Sequence, residues 1–89
     1  MRRIAQQKQF RQDLRRQKRR GKDVEELIAV VELLAEAGEL PVNNTPHQLS
    51  GEWNGVWECQ IEPDWLLIYR VTADEVLLIR TGTYTDLFE

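Results

Sequence analysis

The run WLLIYRV (65–71) is apolar at almost every position. A strand with one face in water alternates, so a continuous run suits a strand at the centre of a sheet. Its neighbours in sequence supply partners. VWECQI (56–61) does alternate, with Trp57, Cys59 and Ile61 on one face and Glu58 and Gln60 on the other. EPD turns the chain between these two runs, and TADE (72–75) links WLLIYRV to a third, VLLIRT (76–81). Connections this short join antiparallel strands. The expectation is an antiparallel meander over 55–82, with residues 1–6 as a fourth, edge strand or a frayed lead-in.

The first half of the chain reads as helical. Residues 7–20 are rich in Gln, Lys, Arg and Leu, all good helix formers, with a thin apolar seam of Phe10 and Leu14. Gly21 suits the C-terminal cap. Asp23 followed by Glu26 has capping-box spacing. Val24, Leu27, Ile28, Val31 and Leu34 then recur at helical spacing over 23–37, and Gly38 and Pro41 stop the helix. So short a link predicts an antiparallel hairpin. Residues 38–54 form a long loop whose Leu49 and Trp53 argue that it packs down, and 83–89 are a C-terminal tail. The whole is one α+β domain over 1–89, a two-layer fold with a helical hairpin on a mostly antiparallel sheet of three to four strands.

Charge divides the chain sharply. Residues 1–22 hold ten of the twelve Lys and Arg and a single acid, Asp13, for a charge of +9; the rest hold two cations against fourteen acids. The basic helix suits phosphates, or is a solvated face balancing an acidic body. Hydrophobic residues at 42% against 30% charged are ordinary for a soluble chain. No apolar run approaches the ~20 residues of a membrane span, and no secretory signal opens the sequence. Cys59 is the only cysteine, so an internal disulfide is excluded. On the apolar face of its strand it reads as an inert buried thiol.

His47, the Glu62–Asp64 turn, Arg80, and Tyr84 with Asp86 are the polar groups outside the expected core. Antiparallel pairing places the start of 65–71 beside the end of 76–81, so Asp64 is expected near Arg80 and the tail, with these groups gathered at one sheet edge. One His, one Cys and scattered carboxylates give no metal-ligand spacing, and no phosphate loop or serine elbow is present. Neither a metal nor a cofactor is expected. The set fits metal-free RNA cleavage, which needs a base for the ribose 2′-OH, an acid for the leaving oxygen and a cation for the phosphorane. Arg80 suits the cation's role. His47 suits acid or base, or is an ordinary loop residue. Asp64 is a base, an orienting group or a turn residue after Pro63. Trp53, Trp57 and Trp65 read as packing first, and Phe88 covers the core edge or stacks on a base.

HQLSGEWNG, IEPDWLLIYR and RTGTYTDLF resemble, in order and spacing, signature segments of YafQ-type toxins of the RelE superfamily. The resemblance runs from about Asp23 onward and is strongest over 47–88. It implies two helices on a mostly antiparallel sheet, and a ribosome-dependent mRNA endoribonuclease of the bacterial cytoplasm. Such an enzyme cuts in the A site and is neutralised by an antitoxin. It implies catalytic roles for His47, Asp64 and Arg80, and substrate contacts for Trp65 and Phe88. Two positions depart from the pattern: Gln60 and Tyr84 stand where histidines are usual. Glutamine cannot exchange protons at useful pH, which leaves Gln60 a substrate contact. Tyrosine, with a reference pKa of about 10, is a ready proton donor and a poor base. Other superfamily members use a C-terminal tyrosine here. Arg11, Arg15, Arg16, Lys18, Arg19 and Arg20 are the expected ribosome or phosphate contacts. The alternatives are a weakened or inactive toxin fold that still binds antitoxin or ribosome, and a nucleic-acid-binding regulator acting through the basic helix.

Overall fold

The structure, a computed structural model, describes residues 1–53 and 55–89, without the side chain of Trp53. The expectation that Trp53 packs down therefore lies outside the described side chains. In chain order the elements are β1 (Arg3–Gln6), α1 (Lys8–Arg19), α2 (Val24–Ala37), β2 (His47–Gln48), β3 (Trp57–Glu62), β4 (Trp65–Val71), β5 (Glu75–Gly82) and α3 (Tyr84–Phe88). Short 3₁₀ turns at Val42–Asn44 and Gly51–Trp53 flank β2.

The sheet is five-stranded and mixed, in the order β1-β5-β4-β3-β2. The expected count of three to four strands is corrected upward by β2. That strand is a polar dipeptide, too short to show a period of two, and it exists only through its pairing of His47 with Glu58 and Gln48 with Trp57. β1 is an edge strand and runs parallel to β5, from Arg3 opposite Glu75 to Gln6 opposite Leu78. The remaining pairs are antiparallel. A bulge at Ile79 breaks the β4–β5 register, so that Ile68 faces Arg80 while Tyr69 faces Leu78.

The continuous apolar run at 65–71 is explained by two cores, one on each face. Trp65, Leu67 and Tyr69 pack with Phe10 of α1 and Leu27, Val31 and Leu34 of α2. Leu66 and Ile68 point the other way, against Val56, Leu87 and the partly buried Leu49, Ile79 and Phe88. Each such side chain contributes about 1.5–3 kcal/mol when fully buried. The tail is thus a short helix lying on the second face of the sheet, not a loose end.

Two local expectations change. Asp23 caps α2 through the backbone N–H of Glu25 at 3.0 Å, without the reciprocal contact of a capping box. Glu26 faces Glu62 instead: a hydrogen bond between the two carboxyls raises the pKa of Glu26, and the same bond and Lys22, 3.2 Å away, lower that of Glu62. The complete capping box is in the tail, where Thr83 and Asp86 each accept from the other's backbone N–H. The seam of α1 is also broader and more polar than Phe10 and Leu14 alone, because Asp13 and Gln17 are buried in it.

Candidate functional site

Directly paired residues on neighbouring strands share a face. His47 of β2 pairs with Glu58 of β3, Glu58 with Ile68 of β4, and Ile68 with Arg80 of β5. These four residues make one row across the sheet. Beside it runs a second row, Gln60, Leu66 and Gly82. Leu66 and Ile68 belong to the core on the face away from α1 and α2, so this is the face that α3 partly covers. It has an apolar floor, with polar groups on both sides.

The structure separates groups that were expected to cluster. His47 and Arg80 stand three strand spacings apart, roughly 14 Å at the ordinary interstrand distance. They flank a groove rather than meet at one edge. His47 is 55% exposed, with Nε2 3.2 Å from Glu58 Oε1. Its Nδ1 lies 3.2 Å from the Thr45 carbonyl, which can only accept, so Nδ1 carries a hydrogen. Glu58, mostly buried, is a carboxylate that sequence reasoning passed over. Its alternation with Cys59 was the available sign, since that placed it opposite the core face.

Arg80 is held tightly. Its Nε donates to Asp13 Oδ2 at 2.6 Å and its Nη2 to Asp13 Oδ1 at 3.3 Å. The next residue, Thr81, donates its backbone N–H to Asp13 Oδ2 at 3.2 Å. Its hydroxyl accepts from the Trp65 indole at 2.8 Å and donates to the Leu66 carbonyl at 2.7 Å. Trp65, one of the expected substrate contacts, is fully buried and its N–H is taken by Thr81.

Gly82 completes the motif by leaving room. A side chain there would come within 2.9 Å of the Asp86 carboxylate. Asp86 uses that space to join α3 to α1. It accepts from Arg20 at 2.6 and 3.0 Å, from Arg16 at 3.4 Å and from Gln17 at 3.2 Å. The Arg20 hydrogen bond, with help from Thr83 and Gln17, holds the Asp86 pKa well below the usual carboxylate range. Arg16 and Arg20 are thus already paired, which narrows the expected phosphate contacts without a side-chain partner to Arg15, Lys18 and Arg19, beside the exposed Lys8, with Arg11 tethered to the Gln6 carbonyl at 3.2 Å.

Tyr84 opens α3 and is 60% exposed, its ring centroid 5.1 Å from that of Phe88. Asp64 is exposed in the β3–β4 turn, where its charge is felt by Arg20. Since Leu66 pairs with Gly82, that turn lies at the α3 end of the sheet. Among the described residues no three His, Cys, Asp or Glu side chains gather as a metal site. No helix among them is long and apolar enough to cross a membrane.

Residues 2–89 match the family described as the bacterial toxin of a type II toxin–antitoxin system, YafQ. The chain belongs to this family. It is 36% identical to the mRNA interferase toxin YafQ of Escherichia coli K12 over 81 residues, 90% of this chain and 88% of that one. Its fold superposes on the crystal structure of YafQ from E. coli BL21(DE3) with a TM-score of 0.92 at 34% identity, covering both chains completely. The toxin in the E. coli DinJ–YafQ complex matches with a TM-score of 0.90, also at 34% identity over the whole of both chains. The helices on a mixed sheet are thus the architecture of this family of the RelE superfamily.

Proposed function

We propose that the protein is an endoribonuclease that cuts ribosome-bound mRNA in the A site and is silenced by a cognate antitoxin. The observation that carries the reading is the fixed Arg80 on the groove face, with Tyr84 and Phe88 on α3, the helix that follows its strand, and His47 across the floor. The naming of a 36% identical relative as an mRNA interferase toxin supports it, as does the assembly of a structural relative with the protein DinJ.

The reaction forms a bond from the ribose O2′ to phosphorus and breaks the bond to O5′, leaving a cyclic phosphate and a free 5′-hydroxyl. A base must take the 2′ proton and an acid must supply one to O5′. Arg80 stabilises the phosphorane, whose extra negative charge its planar fork can match. Tyr84, exposed at the start of α3, gives its phenolic proton to O5′. Asp64, at the open end of the sheet, is available as the base, and so is His47 through Nε2 once that nitrogen turns away from the Glu58 carboxylate. Gln60 hydrogen-bonds the message without moving protons, and Phe88 with Tyr84 offers rings for a base to stack on. Arg15, Lys18 and Arg19, with the outer edges of Arg11, Arg16 and Arg20, meet ribosomal phosphates.

The replacement of two customary histidines by Gln60 and Tyr84 favours a second reading, a weakened toxin that retains its binding partners. One experiment separates them: map the ends of a defined mRNA by primer extension, with and without programmed ribosomes. Cuts at A-site codons, only with ribosomes, are the expected result. Binding to ribosomes without any cut establishes the second reading. Given cuts, Tyr84→Phe removes the phenolic hydroxyl and little else, and is expected to slow cleavage ~10²-fold with an unchanged melting temperature. An unaltered rate removes Tyr84 from the mechanism.

A further inference from the structure

Asp13 is the single acid of the basic segment, and it is 3% exposed. A carboxylate is almost never buried without partners. Asp13 has four donors. Oδ2 receives Arg80 Nε at 2.6 Å and the Thr81 backbone N–H at 3.2 Å. Oδ1 receives Arg80 Nη2 at 3.3 Å and Gln9 Nε2 at 3.2 Å.

β1 hydrogen-bonds to β5 only as far as Leu78, after which the Gln7 N–H reaches the Leu78 carbonyl and α1 begins. Beyond that point the edge of β5 has no strand beside it. Asp13 takes over there, and satisfies the first backbone N–H that matters for the site, at Thr81.

We infer that Asp13 is a positioning residue for the proposed cleavage, acting through Arg80; this rests on the functional reading above. Arginine has five N–H groups in a rigid plane. Asp13 takes Nε–H and one N–H of Nη2, the side edge of the fork. Three N–H groups remain, two on Nη1 and one on Nη2, and one from each nitrogen lies along the far end of the plane. That end is the one that can hold two phosphate oxygens at once. The carboxylate therefore fixes the plane of the guanidinium and selects which edge the scissile phosphate meets. It also offsets part of the Arg80 charge. This weakens attraction for a ground-state phosphodiester, while the extra charge of the phosphorane still finds two aligned donors. Interactions stronger in the transition state act on kcat rather than KM.

A purely structural Asp13, joining α1 to β5, makes a different prediction, so the test uses two variants and two readouts. Asp13→Asn keeps the shape and an acceptor oxygen but loses the charge. Asp13→Glu keeps the charge and moves the fork by one methylene. The cleavage rate is measured on programmed ribosomes, and the Arg80 Nε–H resonance is followed by NMR in the free protein. The expected result is a kcat ~10²-fold lower for both variants, with KM within twofold and a folded backbone spectrum. The Arg80 Nε–H, protected from exchange in the parent, becomes exchangeable in Asp13→Asn. If either folded variant cleaves within threefold of the parent, the inference is overturned. It is also overturned if the rate loss follows the loss of melting temperature and disappears on cooling. A parent that cuts nothing is a failure of the functional reading instead, and the Nε–H then decides the placement alone. Protection lost in Asp13→Asn upholds the Asp13–Arg80 clamp; an Nε–H that exchanges freely in the parent overturns it.

Discussion

The two sides of the groove are built on opposite principles. On the β5 side Arg80, Thr81, Gly82 and Asp86 are each committed to a named partner in α1, β4 or α3. On the β2 side His47 hangs from a two-residue strand, more than half exposed, with one carboxylate and one carbonyl to orient it. Groups that must stabilise charge gain from a site that does not reorganise during the reaction. Groups that exchange protons with substrate can tolerate a looser hold, since their bonds tighten when substrate arrives. A rigid wall and a soft lip, facing each other over Leu66 and Ile68, would let message enter from the β2 side and be gripped from the β5 side.

Arg80→Ala strikes the rigid wall hardest. It leaves the buried Asp13 without its cation, so stability falls by about 3 kcal/mol and cleavage by ~10²-fold or more. Urea denaturation and the primer-extension assay measure the two separately, and an unchanged midpoint would mean that the wall is not held through this pair. Asp86→Asn is next. Arg16 and Arg20 are nearly half exposed, so solvent screens the clamp and the cost is on the order of 1 kcal/mol. Asp86 has a depressed folded pKa, so its contribution is complete above the ordinary carboxylate pKa near ~4 and is lost as pH falls below it. Acid titration of the melting temperature should therefore lose a component in Asp86→Asn; parallel curves for parent and variant would remove the clamp. The smallest stability effect belongs to the lip. His47→Ala is expected to move stability by less than ~0.5 kcal/mol, while slowing cleavage about tenfold. A large stability loss would show that β2 is as firmly fixed as β5.

The sequence disclosed the sheet's centre through a simple physical demand. WLLIYRV required apolar cover on two sides, and β4 occupies those same residues, 65–71. The helices followed from their spacing. β2 escaped because two polar residues carry no pattern; only the partner strand makes them a strand. The candidate site was legible as a set of residue types and not as an arrangement. His47 and Arg80 are chemically suited to one reaction, but nothing in a linear sequence gives the distance across four strands. Of RTG only Arg80 was given a role from the sequence, while Thr81 and Gly82 act by fitting Trp65 and Asp86. Asp13 was visible all along as one negative charge among ten positive ones. Such a charge reads as noise on a solvated helix and as an anchor only once its burial is known.

The order of strands bears on when this protein can become itself. β5, the last strand of the sheet to be translated, lies in its interior, between β1, the first, and β4. Until β5 has been made, β1 has no strand to pair with, Asp13 has no guanidinium to receive and the floor of the groove lacks one wall. Pairings this distant in sequence are also the slow ones to form. The groove is therefore closed by a strand that inserts between two others, not by one added at an edge.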